Sequence, residues 1–568
     1  MNRVDWQLWR RFWAIAKPYW FSADRKGALS LLVLLIILSL SVSGLNITIS
    51  YVGRFFQNAL VEKKPDDFWR FLFIYAGVFV VGTPIVVVYR FVQRKLGIYW
   101  RRWLTEHFLD RYFSDRAYYD ISSDDKVDNP DQRIAEDIKS FTSTSLSFLL
   151  IILGNLIDLI SFTGILWSIS QSLTLVLVVY STLGTLVTLL MGRRLIGLNF
   201  NQLRYEGNFR YGLVHVRDHA ESIAFYRGEE QESGQIKRRF LDAFSNFNLL
   251  IGWQRNVDFF TTGYGYLVVI LPSVVVAPLY FAGQIDFGAI SQANFAFSQV
   301  LGALSIIVTE IERLTAFGAG VNRLSTFTDN LDIGSNGIGE ARKIDLIQKS
   351  QLSLEHITLQ TPKSHKVLID DLSVIIPPAQ GLLIVGASGV GKSSLLRAIA
   401  GLWNSGTGRL VRPELQEMMF LPQRPYMLLG SLRQQILYPN TNQEISDGEL
   451  LAVLKQVNLE ELPTRGEGWD TELDWDDVLS LGEQQRLAFA RLLLTKPKYA
   501  ILDEATSALD LKNEEKLYAK LREMEVTFVS VGHRLSLLKY HQNVLELTGD
   551  TQWRLISPEE YDKSLATL

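Results

Sequence analysis

The sequence predicts a chain of two halves that live in different solvents: an α-helical transmembrane half with six spans, then a water-soluble α/β half built on a largely parallel sheet. Three observations predict it. Six stretches are apolar and long enough to cross a bilayer, which takes about 20 residues of helix: Gly27 to Tyr51, Phe71 to Tyr89, Phe148 to Trp167, Leu173 to Met191, Phe259 to Phe281 and Phe287 to Val308. None recurs after residue 340. From about Leu352 onward, β-rich runs ("GLLIVG", "EMMFLP", "KYAILD", "TFVSVG") alternate with helical segments, the pattern of strands joined by crossover helices.

Composition fits this division. Of the 568 residues 48% are apolar, and 57 basic residues stand against 60 acidic ones, so no excess of charge points to nucleic acid as a partner. The chain has no cysteine, which excludes disulfides, a thiolate nucleophile and cysteine-ligated metal.

The elements follow in order. Residues 1–25 read as an amphipathic helix in the membrane interface: Leu8, Trp9, Phe12, Trp13, Ile15 and Ala16 share one side, while Arg3, Arg10, Arg11 and Lys17 crowd the other. The stretch lacks the continuous apolar core and cleavage site of a signal peptide. Residues 26–327 form the membrane domain. Its loops from Arg90 to Phe141 and from Gly192 to Asp258 carry ten Lys/Arg each, against four in Val52 to Arg70, so the two long loops and both termini are expected in the cytoplasm. Asp158, with Asn155 one turn earlier, is an acid well inside a span, and Ser291, Asn294, Ser298, Gly302, Ser305 and Thr309 recur along the last span; each suits either helix packing or a solute path. Residues 328–347, rich in Asp, Asn and Gly, read as a linker, and 348–568 as the soluble domain.

The soluble half carries the chemistry. "GASGVGKS" follows a strand and opens a helix near Lys392, the context that G-x-x-x-x-G-K-S requires to be a phosphate-binding P-loop. Gly386, Gly389 and Gly391 let the backbone curl so that successive N–H groups point inward, with Ser388 and Ser394 completing the predicted nucleotide cradle. Lys392 is expected to reach the β- and γ-phosphates and Ser393 to ligate Mg²⁺. In "KYAILDE", Asp503 ends a buried strand and would hold the hydrated metal, while Glu504 beside it would polarise the attacking water. His533 in "VSVGHR" is expected at the γ-phosphate, and Gln423 in "FLPQRPY" at the metal and at a neighbouring domain.

The run "LSLGEQQRLAFARLLL" from Leu479 and "DEATSALD" ending at Asp510 carry a family resemblance. Residues 352 to 540 resemble the nucleotide-binding domain of ABC transporters, with "LSLGEQQR" as signature motif, "SALD" as D-loop, and Gln423 and His533 as Q- and H-loops. The resemblance implies a P-loop NTPase domain after an exporter-type ABC membrane domain, ATP with Mg²⁺, and a head-to-tail homodimer. There Ser480 and Gly482, with Asp510 nearby, would cap an ATP held by the other subunit's Lys392. Two positions depart from the pattern: Leu481 stands where the signature has its first glycine, and Thr361 where many members stack a tyrosine on adenine. In the membrane half "NPDQRIAEDI" and "AESIAFYRGEEQE" resemble loop motifs of peroxisomal acyl-CoA transporters, their lysosomal cobalamin relative, and bacterial peptide and cobalamin transporters. Ala220 to Glu230 is the candidate coupling helix. The resemblance implies an ATP-driven half-transporter for a bulky amphipathic or hydrophilic solute, cobalamin- or peptide-like, in contact with membrane lipid; no amino-terminal organelle signal is apparent and the compact length suits a prokaryotic chain, so a bacterial plasma (inner) membrane is expected. The alternatives are a carrier of long-chain fatty acyl-CoA or lipid, an ATP-gated channel, and a soluble mechanical ATPase, against which the six apolar runs argue.

Overall fold

The computed structural model describes residues 6–123, 129–336, 344–362, 364–465 and 467–566. The chain divides into two compact units, Met1–Gly337 and Ile338–Leu568.

In the first unit every expected span lies inside a longer helix: Arg25–Val61, Pro65–Phe113, Ile138–Ile169, Gln171–Asp218, Glu229–Phe281 and Phe287–Thr309. Among the described residues the first five are long and apolar enough to cross a membrane, and the sixth is a helix of 23 residues. The helices outrun their apolar stretches. The second and fifth have 49 and 53 residues, about 74 and 80 Å at 1.5 Å per residue, so each is more than twice as long as a hydrocarbon core about 30 Å thick. The two long basic loops are thus largely polar continuations of the same helices, which hydropathy alone cannot see. In lipid only intrahelical bonds satisfy the backbone, and large side chains such as Phe73, Val80, Leu175 and Val269 project outward from the spans.

Polar contacts fix which spans touch. Ser43 Oγ donates to Asp158 Oδ1 at 2.8 Å, joining the first and third spans, so Asp158 makes a structural bond inside the bundle. Tyr180 and Tyr264 each donate a hydroxyl to the other's backbone carbonyl, at 2.5 and 3.1 Å, with their rings stacked 4.2 Å apart. Glycine is required at 184 for that approach, because a Cβ there would stand 2.2 Å from the Tyr264 ring. Asp286 caps the sixth span by accepting from Ala289 N and pairs with Arg54 at 2.6 Å. Along the sixth span, Asn294 is bonded to Ser273 of the fifth, while Ser298 and Gly302 stand exposed; the side chains of Ser305 and Thr309 lie outside the described residues.

The amino-terminal helix, Trp6–Trp20, has two apolar faces where the sequence suggested one. Ile15, Ala16 and Tyr19 are buried, and Leu8 and Phe12 pack on the same cluster with Leu96, Trp100, Phe141 and Phe327, whereas Trp6, Trp9 and Trp13 point outward. Arg3 of the expected basic face lies outside the described residues. The helix Ile311–Asn336 corrects the linker boundary, since it runs through the first nine positions expected to be linker. The polar residues there fold back on the helix: Thr328 Oγ1 donates to Leu324 O and Asn330 Nδ2 to Thr326 O. Residues 337–343 lie outside the described residues.

The second unit contains two main sheets. Strands are β1 Asp345–Gln348, β2 Leu352–Gln360, β3 Val367–Ile376, β4 Gly381–Gly386, β5 Gly406–Arg412, β6 Met418–Leu421, β7 Gly430–Ser431, β8 Glu472–Leu473, β9 Tyr499–Asp503, β10 Thr527–Val531, β11 Asn543–Gly549 and β12 Gln552–Ile556. The larger sheet has the order β12-β11-β4-β10-β9-β6, parallel except for the β12 edge. The four runs quoted from the sequence are its four neighbours β4, β10, β9 and β6. Leu382 and Ile384 feed one core and Leu383 and Val385 the other, so β4 is buried on both faces, which is why it reads as a continuous apolar run. A smaller sheet, β1-β5-β2-β3, pairs mostly antiparallel.

Candidate functional site

The site is assembled at the carboxyl ends of β4, β9 and β10, where an open parallel sheet presents its loops. β4 runs directly into Gly386, whose φ of 145° belongs to glycine; a Cβ there would stand 2.4 Å from Leu547 O on the neighbouring strand. Gly391, at φ 110°, caps the helix Lys392–Ile399. The loop thus wraps the amino end of that helix, with Ser393 and Ser394 in its first turn and Ser388 exposed at the crest. Lys392 is buried and donates from Nζ to Gly386 O at 2.7 Å and Ala387 O at 2.8 Å, which holds its charge over the loop. Burial lowers the Lys392 pKa, against the opposing pull of Glu504 and Asp503.

Ser393 Oγ donates to Asp503 Oδ1 at 3.2 Å, so a hydroxyl and a carboxylate stand side by side, the hard oxygen donors that Mg²⁺ takes. Burial raises the Asp503 pKa, partly offset by the Ser393 bond. Glu504 sits just past β9 at φ 48°, a left-handed conformation costly for a residue with a Cβ. Its carboxylate lies between two loops: Gln423 Nε2 donates to Oε2 at 2.9 Å and His533 Nε2 stands 3.4 Å from Oε1. The structure therefore brings together Lys392, Ser393, Asp503, Glu504, Gln423 and His533. This is a cradle that fits a triphosphate with its cation: a glycine-rich loop at a helix amino end, one buried ammonium, paired oxygen donors and a carboxylate beside them.

Ser480, Gly482 and Asp510 are engaged elsewhere. Ser480 caps the helix Leu481–Thr495 in a reciprocal box with Glu483. A Cβ on Gly482 would stand 3.1 Å from Ala508 O, so this helix lies against the loop after Glu504. Asp510, expected at the nucleotide, caps the helix Leu511–Glu523 by accepting from Asn513 N at 2.8 Å and Nδ2 at 2.9 Å, the bonds that lower its pKa. Leu481 begins its helix without a positive φ, so the backbone there does not need glycine. Thr361 is tied into the β2–β3 turn through Ser364 Oγ at 2.6 Å.

Two buried residues were missed from the sequence. Glu514 accepts from Thr506 Oγ1 at 2.7 Å and Ser536 Oγ at 2.8 Å and faces Arg534 at 3.4 Å. Gln485 bonds to Gln423 O, Ser507 Oγ and Ala508 N. Glu514 lies outside every motif quoted above, and Gln485 lies within "LSLGEQQR", where its residue type does not set it apart from its neighbours. In the first unit the candidate coupling segment is a short helix, Ala220–Tyr226, with Phe225 and Tyr226 exposed, and Arg227 at φ 56° ends it. "NPDQRIAEDI" is anchored by Asp137, buried and bonded by Arg323 from Nε at 2.8 Å.

A helical membrane region fused to one such cradle defines the class of an ABC half-transporter, an ATPase coupled to transport. The family pattern described as ABC transporter transmembrane region 2 matches residues 15–281, and that described as ABC transporter matches 369–507. The chain belongs to the ABC transporter family. It is 50% identical to an ABC transporter ATP-binding protein of Synechocystis sp., over 93% of this chain and 81% of that one. It is 40% identical to the chloroplastic ABC transporter D family member 2 of Arabidopsis thaliana, over 98% and 89%, and 33% identical to the lysosomal cobalamin transporter of Homo sapiens, over 98% and 97%. A solved bacterial Atm1-family ABC exporter with ATP bound superposes with a TM-score of 0.73 over 96% of this chain and 97% of that one, at 17% identity, which bears on the fold.

Proposed function

We propose that two copies of this chain form a transporter that hydrolyses Mg²⁺-ATP at two shared sites to move a bulky polar or amphipathic solute, cobalamin- or peptide-like, across a bacterial inner membrane, with the nucleotide domains in the cytoplasm. The observation that carries this reading is the Glu504 carboxylate, held between Gln423 and His533 beside the Ser393–Asp503 pair. Bound ATP supplies the phosphoanhydride whose cleavage releases the driving free energy. Within the chain, Gly386, Gly389 and Gly391 direct backbone N–H groups at the phosphates, and Lys392 sets its ammonium against the β- and γ-phosphate charge. The Ser393 hydroxyl and Asp503 carboxylate hold the cation, directly or through water, with Gln423 alongside. Glu504 accepts the proton of the water that attacks the γ-phosphorus as the bond to the β-phosphate oxygen breaks, and His533 donates a hydrogen bond to the γ-phosphate. Ser480 and Gly482 belong to the face that meets the partner's nucleotide; in their own chain Ser480 caps its helix and Gly482 packs against Ala508.

The exposed Ser298 and Gly302 on the sixth span and the similarity to a cobalamin transporter favour a polar cargo. The test is uptake by proteoliposomes given labelled cobalamin, peptide or acyl-CoA, with ATP outside and then inside. ATP-dependent accumulation of cobalamin or peptide, lost in Glu504→Gln, supports the reading; accumulation of acyl-CoA alone replaces the solute assignment.

A further inference from the structure

Gln485 lies in the first turns of the helix that Ser480 caps, yet none of its side-chain bonds is spent on that helix. The side chain is 0% exposed. Nε2 donates to Gln423 O at 2.8 Å and to Ser507 Oγ at 3.2 Å, and Oε1 accepts from Ala508 N at 3.0 Å. A buried amide is costly unless satisfied, and here it is satisfied by loops on both sides of the catalytic carboxylate. Gln423 gives its own side-chain amide to Glu504, and Ser507 N donates to Glu504 O at 3.0 Å. Ala508 O in turn lies under Gly482. The contacts therefore run Gly482, Ala508, Gln485, Gln423, Glu504.

We propose that Gln485 is a positioning residue that couples the helix face capping the partner's nucleotide to the Gln423 and Ser507–Ala508 loops that orient Glu504 in its own chain, so that each site registers closure at the other. This rests on the reading that Ser480 and Gly482 close over the partner's ATP. A shift of the helix start is passed to the Gln423 carbonyl through the buried Gln485 amide that bonds it.

The test uses the full-length protein in proteoliposomes, with Gln485→Met, which keeps length and removes the bonds, and Ser507→Ala, which removes one bond at an exposed loop. Readouts are the dissociation constant of a fluorescent ATP analogue, kcat, the Hill coefficient for ATP and the melting temperature. A misplaced base is costly where orientation drives the rate, so Gln485→Met is expected to lose about tenfold or more in kcat while analogue affinity stays within about twofold. Its Hill coefficient falls to that of independent sites, and adding Ser507→Ala to it costs nothing more. Wild-type kcat and cooperativity in Gln485→Met overturn the inference, as does parallel loss of affinity, rate and melting temperature, which marks a merely structural role. ATP retention by Glu504→Gln, measured beside them, separates the two levels. Retention there with no effect of Gln485→Met sinks the coupling role alone; no retention sinks the closure reading and this inference with it.

Discussion

Removing the carboxylate of Glu514 is a severe perturbation of the nucleotide domain. The side chain is 1% exposed and takes hydroxyl hydrogen bonds from Thr506 and Ser536, with the Arg534 guanidinium 3.4 Å away. Hydrogen bonds to a charged acceptor are worth about 1.5–3 kcal/mol each, and breaking a buried ion pair from one side costs about 3–5 kcal/mol. Arg534 keeps its bonds to Leu509 O and Ser507 O, so its charge is not abandoned. The two hydroxyls can turn toward each other or toward water. The expected cost of Glu514→Ala therefore falls at the lower end, about 3 kcal/mol. For a domain of this size that lowers the melting temperature by about 6–12 °C. Glu514→Gln keeps shape and most bonds and is expected to cost about 1 kcal/mol. Scanning calorimetry of the full-length chain, at one scan rate for all variants, reads both. An alanine variant that melts within about 2 °C of wild type would show that the Glu514 carboxylate contributes little to the stability of the domain.

Three further predictions follow from particular residues. His541 is buried, with Nδ1 2.7 Å from Leu537 O and Nε2 3.0 Å from Ser530 Oγ, and burial pushes its pKa down to about 4. The unfolded chain takes up the proton first as pH falls below about 6.5, so the nucleotide domain is expected to lose stability between about pH 6.5 and about pH 4, by about 3 kcal/mol in all. Denaturant titration across that range checks it, and His541→Gln, which cannot titrate, should flatten the slope. Leu481→Gly should leave ATP turnover within about twofold, since no positive φ awaits the glycine; a large gain would mean that the leucine side chain obstructs closure. Gly184→Ala drives a Cβ into the Tyr264 ring, so it should separate the fourth and fifth spans and lower detergent-solubilised yield and melting temperature, with partial recovery in Gly184→Ala/Tyr264→Ala.

The sequence announced what depends on one segment and was silent on what depends on two. β4, β10 and β9 are buried on both faces and, with the half-buried edge strand β6, were legible as apolar runs; the P-loop was legible because its glycines, Lys392 and Ser393 fall within eight consecutive residues. The small sheet β1-β5-β2-β3 was not identified, because β3 alternates buried and exposed residues and so makes no continuous apolar run, and β5 pairs with β1 and β2 only across the intervening P-loop segment. The helices were found but not their length, since the polar ends of Pro65–Phe113 and Glu229–Phe281 carry no hydropathy signal. The same limit hid the two faces of Trp6–Trp20: Ile15 and Trp9 look alike on a helical wheel, and only the neighbouring helices decide which of them is buried. Gln485, Glu514 and Arg534 were passed over because each acts through partners on other elements.

Two identical chains are expected to close over two ATP molecules, with Glu504 then opening the way to cleavage. Native mass spectrometry of Glu504→Gln after incubation with Mg²⁺-ATP tests it most directly. Two chains carrying two uncleaved ATP molecules are expected; a single chain that hydrolyses ATP at the wild-type rate with Glu504 replaced would rule out both the shared sites and Glu504 as the base.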